Sequence, residues 1–282
     1  ADINLIGEIV EHHFRFGVSR MPQIFSEVSL ISKDDLAIVL AVADKEIADV
    51  TEPTMTKTRF LPIGTSVMFP DHDVMSEESI ATETGSAFRW IIDPLDGTTN
   101  YAHGYPVFCV SIALERKGEV ILGVVHNPML DEMFVAEKRK GAYLNGSRLS
   151  VSGTPVLSHS LLATGFPYDI RNDRNNNINY FAEMARKVRA IRRAGSAALD
   201  LAYVAAGRFD GFWELKLMPW DTAAGCLLVR EAGGAVTDLF GAPHHLSAPH
   251  VLASNGALHQ ALMTVFKAAE TMTGYIARIS GG

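Results

Sequence analysis

The spacing of apolar positions becomes regular from about residue 69 of this chain. Strand-like runs rich in β-branched residues cover residues 107–114, 120–125 and 133–136. Asn145-Gly146 stands between the apolar residues Leu144 and Leu149, a pattern typical of a tight β-hairpin. The first half is therefore predicted to contain antiparallel strands.

The second half mixes short apolar runs with longer segments of helical periodicity. Gly195-Ser196 should open a helix, and Gly207 is placed to end it. The pattern predicts strands at 161–165, 190–194, 209–215, 235–237 and 251–253, and helices at 178–188, 197–206, 220–232 and 257–269. Such a mixture favours layered α and β structure over strict βαβ repeats.

The first 68 residues carry weaker signals. Residues 4–15 have the periodicity of an amphipathic helix, and 33–50 contain a long apolar run at 36–43. Pro53, Pro62 and Gly64 indicate a loop or arm over residues 51–68.

Composition narrows the class of protein. The chain has 282 residues, 48% of them hydrophobic, enough for one large domain or two closely packed ones. Its formal net charge is −7, and its basic cluster at 186–193 is interpreted as a solvated helix end, which disfavours nucleic acid as the main ligand. Cys109 and Cys226 lie in apolar contexts, so we expect buried thiols in a reducing compartment such as the cytoplasm. No apolar run reaches a membrane-spanning length, and no membrane association is expected.

The segment from Trp90 to Asn100 begins as an apolar strand and ends in polar groups. Asp93 and Asp96 are separated by Pro94, which fixes its own φ and should end the strand at Asp93. An isolated Asp-Gly would indicate only an Asx turn. Two carboxylates beside a backbone carbonyl, however, form a set of hard oxygen ligands that suits Mg²⁺.

Two further carboxylates come from distant parts of the chain. Glu77 follows an apolar strand, and Asp221 lies in Trp220-Asp221-Thr222-Ala223-Ala224-Gly225, where the small residues should let a helix pack closely. Taken alone, Glu77 is better explained as an exposed acid at a helix entry. Carboxylates that converge from several segments are what metal-assisted hydrolysis of a phosphate ester requires.

The string Trp90-Ile91-Ile92-Asp93-Pro94-Leu95-Asp96-Gly97-Thr98-Thr99-Asn100 resembles the first signature of the inositol monophosphatase family. The Trp220–Gly225 string resembles the second, and the likeness runs from about residue 69 to 266. The resemblance implies an alternating αβαβα sandwich, in one domain over residues 1–270 with two intimate α/β halves that meet near 150–190. Residues 271–282 are predicted to form a C-terminal tail.

The same resemblance implies a ligand set for two or three Mg²⁺ ions. Glu77, Asp93 and the Leu95 carbonyl would bind the first ion, and Asp93, Asp96 and Asp221 the second. Glu77 would also hold water at a further, weaker metal position.

Catalytic and substrate-binding roles follow from the resemblance too. Thr98 would hold the attacking water, and Asp44 would orient Thr98; an ordinary surface salt bridge is the other interpretation of Asp44. Asp96 and the backbone at Gly97 and Thr98 would meet the substrate. The family's polar Asp and Thr before this Ala-Asp pair are replaced here by Ile38-Val39-Leu40-Ala41.

The alcohol part of the substrate would be met by another set of residues. Gly195 and Ala197 match a family segment whose backbone lines the sugar or cyclitol. Glu214 matches the acid that binds inositol hydroxyls, although an outward-facing strand residue would also fit the alternation.

The resemblance therefore implies a Mg²⁺-dependent enzyme that hydrolyses inositol monophosphate with water and without a covalent phosphoenzyme. It also implies inhibition by Li⁺ and a homodimer. Fructose-1,6-bisphosphatase, histidinol-phosphate phosphatase and nucleotide 3′-phosphatase remain alternatives within the superfamily. A non-catalytic regulatory protein on the same fold is a further alternative.

Overall fold

The computed structural model describes residues 65–66, 69–77, 79–82 and 84–280. The predicted helix at 4–15, the apolar run at 36–43, Asp44 and most of the predicted loop at 51–68 lie outside these residues.

The larger sheet contains eight strands in the order β2-β1-β3-β4-β5-β6-β7-β8. Every neighbouring pair is antiparallel except β1 and β3, which run parallel. The strands are β1 Asp73–Ser76, β2 Ser79–Thr82, β3 Phe88–Asp96, β4 Cys109–Arg116, β5 Glu119–Asn127, β6 Glu132–Glu137, β7 Gly141–Leu144 and β8 Ser147–Arg148.

The smaller sheet has five strands in the order β10-β9-β11-β13-β12. They are β9 Leu161–Thr164, β10 Ala190–Arg192, β11 Gly211–Leu215, β12 Ala235–Thr237 and β13 His250–Ser254. The helices of the described chain are α1 Thr98–Ala102, α2 Ile178–Ala185, α3 Ala197–Ala205, α4 Pro219–Glu231 and α5 His259–Ser280, with a 3₁₀ turn at Leu157–His159.

Helices α3 and α4 lie between the two sheets and share one buried apolar cluster with both. Small residues allow this close approach: a Cβ at Gly225 would lie 2.5 Å from the Leu201 Cβ, and one at Gly123 would lie 2.9 Å from the Ala224 Cα. Helices α2 and α5 cover the other face of the smaller sheet. The described residues thus form the β-α-β-α part of the predicted αβαβα order.

The end of β3 differs from the prediction. The strand does not stop at Asp93 but continues through Pro94 to Asp96. Asp93 pairs with Ser111 and Asp96 with Cys109, so β3 has one extra residue in this interval. A bulge tolerates a proline because the ladder is already interrupted there. It also explains how the two carboxylates are brought to the same end of the strand.

Several other predictions are confirmed. The Asn145-Gly146 hairpin has positive φ at both residues, 46° and 84°. Cys109 and Cys226 are free and buried. One prediction differs: the last helix does not end at residue 269 but continues to Ser280, into the segment 271–282 that was predicted to form a C-terminal tail. No helix in the described part of the chain has the length and apolar character needed to cross a bilayer.

Candidate active site

The predicted site residues meet in one cleft of about 500 Å³. It opens where β3, β11 and the N-terminal ends of α1, α3 and α4 come together. The predicted residues that line it are Glu77, Asp93, Leu95, Asp96, Gly97, Thr98, Gly195, Ala197, Glu214 and Asp221. Only Asp44, among the predicted site residues, lies outside the described part of the chain.

Asp93 is the most deeply placed of the cleft carboxylates, with 1% of its surface exposed. Its Oδ1 accepts a hydrogen bond from the Leu95 amide at 2.9 Å. Burial raises the pKa of Asp93 well above its usual range, and the negative charges of Asp96, Glu77 and Asp221 act in the same direction. The Leu95 hydrogen bond opposes this rise, and a nearby cation would stabilise the carboxylate form further.

Asp96 is held by the start of α3. Its Oδ2 accepts hydrogen bonds from the Ser196 hydroxyl at 2.6 Å and from the Ala198 amide at 2.8 Å. Burial raises the pKa of Asp96, and these hydrogen bonds oppose the rise. Ser196 also caps α3, since its hydroxyl accepts from the Leu199 amide. Ser196, at the predicted helix start, therefore both caps α3 and holds the Asp96 carboxylate in place.

Asp221 lies in the first turn of α4, and its Oδ2 accepts the Met218 amide at 2.7 Å. Burial, and then the charge of Asp96, raise the pKa of Asp221 to about 7. Glu77 follows β1 at the exposed rim of the cleft, and its amide donates to the Ile92 carbonyl of β3. Each carboxylate is thus anchored through an element of secondary structure.

The donor set has the chemistry of a Mg²⁺ site. The hydrogen bonds to Asp93, Asp96 and Asp221 each engage one carboxylate oxygen, which leaves a second oxygen to face a cation. Within the described residues, no three acidic, histidine or cysteine side chains are already close enough to hold one ion. Carboxylates repel one another, and a bound cation would offset that repulsion.

The turn after β3 is shaped by Gly97 and Thr98. Gly97 has φ 99°, and a Cβ there would lie 2.8 Å from the Val107 carbonyl oxygen. The Thr98 hydroxyl donates to the Leu95 carbonyl at 3.0 Å. A hydroxyl with its proton directed in this way has lone pairs available to accept from water.

Glu214 lies near the end of β11 in the wall of the cleft. Burial, followed by the charges of Asp96 and Asp221, raises the pKa of Glu214 to about 8, and Arg193 opposes the rise. The Glu214 side chain lines the cleft together with the carboxylates of Asp96 and Asp221.

The sequence interpretation missed four contributors. Arg193 was assigned to a solvated helix end; it is exposed, but it follows strand β10 rather than a helix, and it lines the cleft. Tyr168 lines the cleft and is 96% exposed. Lys216 also lines the cleft, and its Nζ donates to Asp169 Oδ2 at 2.7 Å. Asn100 donates to the Ala194 carbonyl at 2.8 Å and so joins α1 to the Gly195 segment. Only the strong turn signal around Asn100 was visible in the sequence.

The two signature segments and four cleft carboxylates agree with a comparison against protein families. The family model described as "Inositol monophosphatase family" matches residues 31–271. This chain belongs to the inositol monophosphatase family. An inositol-1-monophosphatase of Mesorhizobium japonicum is 43% identical over 226 residues, which cover 80% of this chain and 81% of the relative.

Two further relatives match this chain, one of them under a different name. The Nus factor SuhB of Pseudomonas aeruginosa is 45% identical over 235 residues, covering 81% of this chain and 87% of that protein. A solved inositol monophosphatase structure from Anabaena superposes with a TM-score of 0.76 at 41% identity, over 80% of this chain and 91% of the other. The fold predicted from the resemblance is therefore confirmed, and the family supports a phosphatase.

Proposed function

We propose that this inositol monophosphatase family member is a Mg²⁺-dependent phosphatase that releases phosphate from inositol monophosphate. The observation that carries the proposal is a single cleft that combines the acid cluster around Asp93 with a separate acid, Glu214, beside Arg193. The cluster suits cations and the phosphate that they bind, whereas Glu214 suits the hydroxyls of the alcohol.

Glu77, Asp93, the Leu95 carbonyl, Asp96 and Asp221 would hold two or three Mg²⁺ ions. Bound Mg²⁺ supplies charge neutralisation for the phosphate, a lower pKa for water and stabilisation of the leaving oxygen. The raised pKa of Asp93 supports this assignment, because a buried acid cluster is costly without cations.

The chain's own groups orient the reaction. Thr98 directs its hydroxyl proton to Leu95, and its oxygen then accepts from the attacking water. Glu77, at the exposed rim, takes up a proton of that water and passes it to solvent, while the P–O bond to the alcohol breaks and the leaving oxygen takes a proton from solvent. In this proposal Gly195 and Ala197 line the alcohol with backbone, and Asp44 keeps its predicted role in orienting Thr98.

Related substrates are distinguished by the alcohol subsite, because the acid cluster serves any phosphate monoester. Fructose-1,6-bisphosphate, histidinol phosphate and nucleotide 3′-phosphates are accordingly the competing substrates. The SuhB name of one relative shows that family membership alone does not name the substrate.

The proposal also includes inhibition by Li⁺, a homodimer and a cytoplasmic location, all as expectations from the resemblance and the sequence.

Replacing Glu214 with alanine should change substrate choice more than chemistry. A carboxylate that accepts a hydroxyl hydrogen bond contributes roughly 1.5–3 kcal/mol. Glu214→Ala should therefore lower kcat/KM for inositol monophosphate by roughly tenfold to a hundredfold. Turnover of p-nitrophenyl phosphate, which has no ring hydroxyls, should change by less than about threefold. The measurement is phosphate release with Mg²⁺, and with EDTA as the metal-free blank.

The matched control is Glu183→Ala, an acid on α2 whose carboxylate binds Arg186 at 2.8 Å. It should leave both substrates unaffected. If Glu214→Ala lowers the turnover of both substrates equally, Glu214 positions the metal and does not bind the alcohol. If the wild type prefers fructose-1,6-bisphosphate, that ester and not inositol monophosphate is the substrate.

The cleft acids should also make the metal-free protein less stable as pH rises. Asp221 and Glu214 have folded pKa values of about 7 and about 8, both raised above their ordinary values. The folded state therefore binds more protons than the unfolded state, and stability is lost as pH rises through these values. We expect the Tm in EDTA to fall by several degrees between pH 6.5 and 8.5, because about 1 kcal/mol moves Tm by roughly 2–4 °C at this size.

Mg²⁺ binds the deprotonated acids, so its stabilising effect should grow over the same pH interval. Asp221→Asn should reduce the slope of Tm against pH in EDTA. An unchanged slope in this variant would show that Asp221 does not titrate in that range.

A further inference from the structure

Gly165 stands beside Glu214 across two parallel strands. Strand β9 pairs with β11 so that Leu162, Ala163 and Thr164 face Gly211, Phe212 and Trp213 in turn. The next residues along the two strands are Gly165 and Glu214. Neighbouring residues in this register project to the same face of a sheet, so a side chain at 165 would compete with Glu214 for space.

The space at Gly165 is occupied by the Glu214 carboxyl group. A Cβ built on Gly165 would lie 2.1 Å from Oε1, 2.2 Å from Cδ and 2.2 Å from Oε2 of Glu214. Gly165 does not have a positive φ, so its backbone conformation is open to any residue. The glycine is therefore required by the position of the neighbouring carboxylate and not by the backbone.

The backbone at Gly165 is held firmly by a buried polar network. The Asn177 Nδ2 donates to the Gly165 carbonyl at 2.6 Å and to the Thr164 hydroxyl at 2.9 Å. The Trp213 indole donates to the Asn177 Oδ1 at 2.7 Å, and the Thr164 hydroxyl donates to the Trp213 carbonyl at 2.6 Å. These contacts tie the β9 end to the β11 end immediately before Glu214.

We propose that Gly165 is a specificity-determining residue: its lack of a side chain keeps the Glu214 carboxylate folded against β9, where it faces the alcohol part of the substrate. This inference rests on the proposed function, which assigns Glu214 to the alcohol. A methyl group at 165 displaces the carboxylate, because the Asn177 network holds the backbone while the end of a glutamate side chain is free to rotate.

The test is Gly165→Ala, with Gly153→Ala as the matched control. Gly153 has no positive φ and no heavy atom within 4 Å of its Cβ position. Gly165→Ala should lower kcat/KM for inositol monophosphate by roughly tenfold or more, as expected for a lost charged hydrogen bond. Turnover of p-nitrophenyl phosphate should stay within about threefold of wild type, and Gly153→Ala should change neither substrate.

A double-variant cycle tests the mechanism. In a Glu214→Ala background the clash is absent, so adding Gly165→Ala should cause no further loss for inositol monophosphate. If Gly165→Ala lowers the Tm, the double variant should restore it, since removing the Glu214 carboxyl makes room for the methyl group.

Three results would each overturn the role of Gly165. They are additive losses of kcat/KM in the cycle, an equal loss of turnover for both substrates in Gly165→Ala, and a lowered Tm that the double variant fails to restore. A selective Glu214→Ala effect combined with a normal Gly165→Ala enzyme would overturn this inference alone. An unselective Glu214→Ala effect would instead remove the proposed function on which it rests.

Discussion

Asp93→Asn should lower kcat/KM by roughly a thousandfold or more for every phosphate ester. In the proposed site Asp93 would be a ligand to both cations, so the loss of its charge would weaken both at once, and even one preorganised hydrogen-bond donor contributes roughly 10²–10³. The fold should survive, because an asparagine Oδ1 still accepts the Leu95 amide as Asp93 does at 2.9 Å.

The metal-free stability of this variant should equal or exceed that of the wild type. Burial, and then the charges of Asp96, Glu77 and Asp221, disfavour the ionised form of Asp93, so a neutral side chain at this position removes that cost. The rise in Tm caused by Mg²⁺ should shrink at the same time. Turnover at saturating Mg²⁺ and Tm with and without Mg²⁺ are the measurements.

A matched control for the charge change is Asp238→Asn. Asp238 Oδ1 accepts the Phe240 and Ala242 amides at 2.9 and 2.8 Å, and an asparagine preserves both bonds away from the cleft. Near-normal turnover in Asp93→Asn, with Asp238→Asn also normal, would rule out Asp93 as a metal ligand.

Gly97→Ala should cost both stability and activity. The residue has φ 99°, and its new Cβ would lie 2.8 Å from the Val107 carbonyl oxygen and 3.1 Å from the Phe108 Cβ. Backbone strain and overpacking each cost roughly 1–3 kcal/mol, so a loss of about 2–5 kcal/mol is expected. The turn between Asp96 and Thr98 must then shift, and kcat/KM should fall by about a hundredfold, as for a misplaced catalytic group.

Gly118→Ala separates strain from the clash. Gly118 also has a positive φ of 83°, but no heavy atom lies within 4 Å of its Cβ position. Gly118→Ala should lower the free energy of unfolding only by the cost of backbone strain, and it should leave activity unchanged. The two free energies of unfolding, measured by urea denaturation, should differ; equal values would show that the contact with Val107 is easily relieved.

Short-range interactions explain what the sequence alone determined. The hairpin at Asn145-Gly146, the Ser196 cap of α3 and the helix that carries Asp221 depend on residues within a few positions, so their patterns are readable locally. The two signatures contained three of the four carboxylates, Asp93, Asp96 and Asp221, and the resemblance added Glu77, the family and the fold. Small residues at Ala224 and Gly225 likewise indicated close helix packing.

Long-range contacts decided the rest. Asp96 is held by Ser196, 100 positions away, and Asn100 reaches Ala194, 94 positions away. Whether Pro94 ended β3 or entered a bulge depended on its pairing with β4, which no local pattern reports. The sequence alone determined which groups could perform the chemistry. Only the tertiary structure placed Arg193 in the cleft and Glu214 over Gly165, because both positions arise from the side-by-side packing of strands that are distant in the chain.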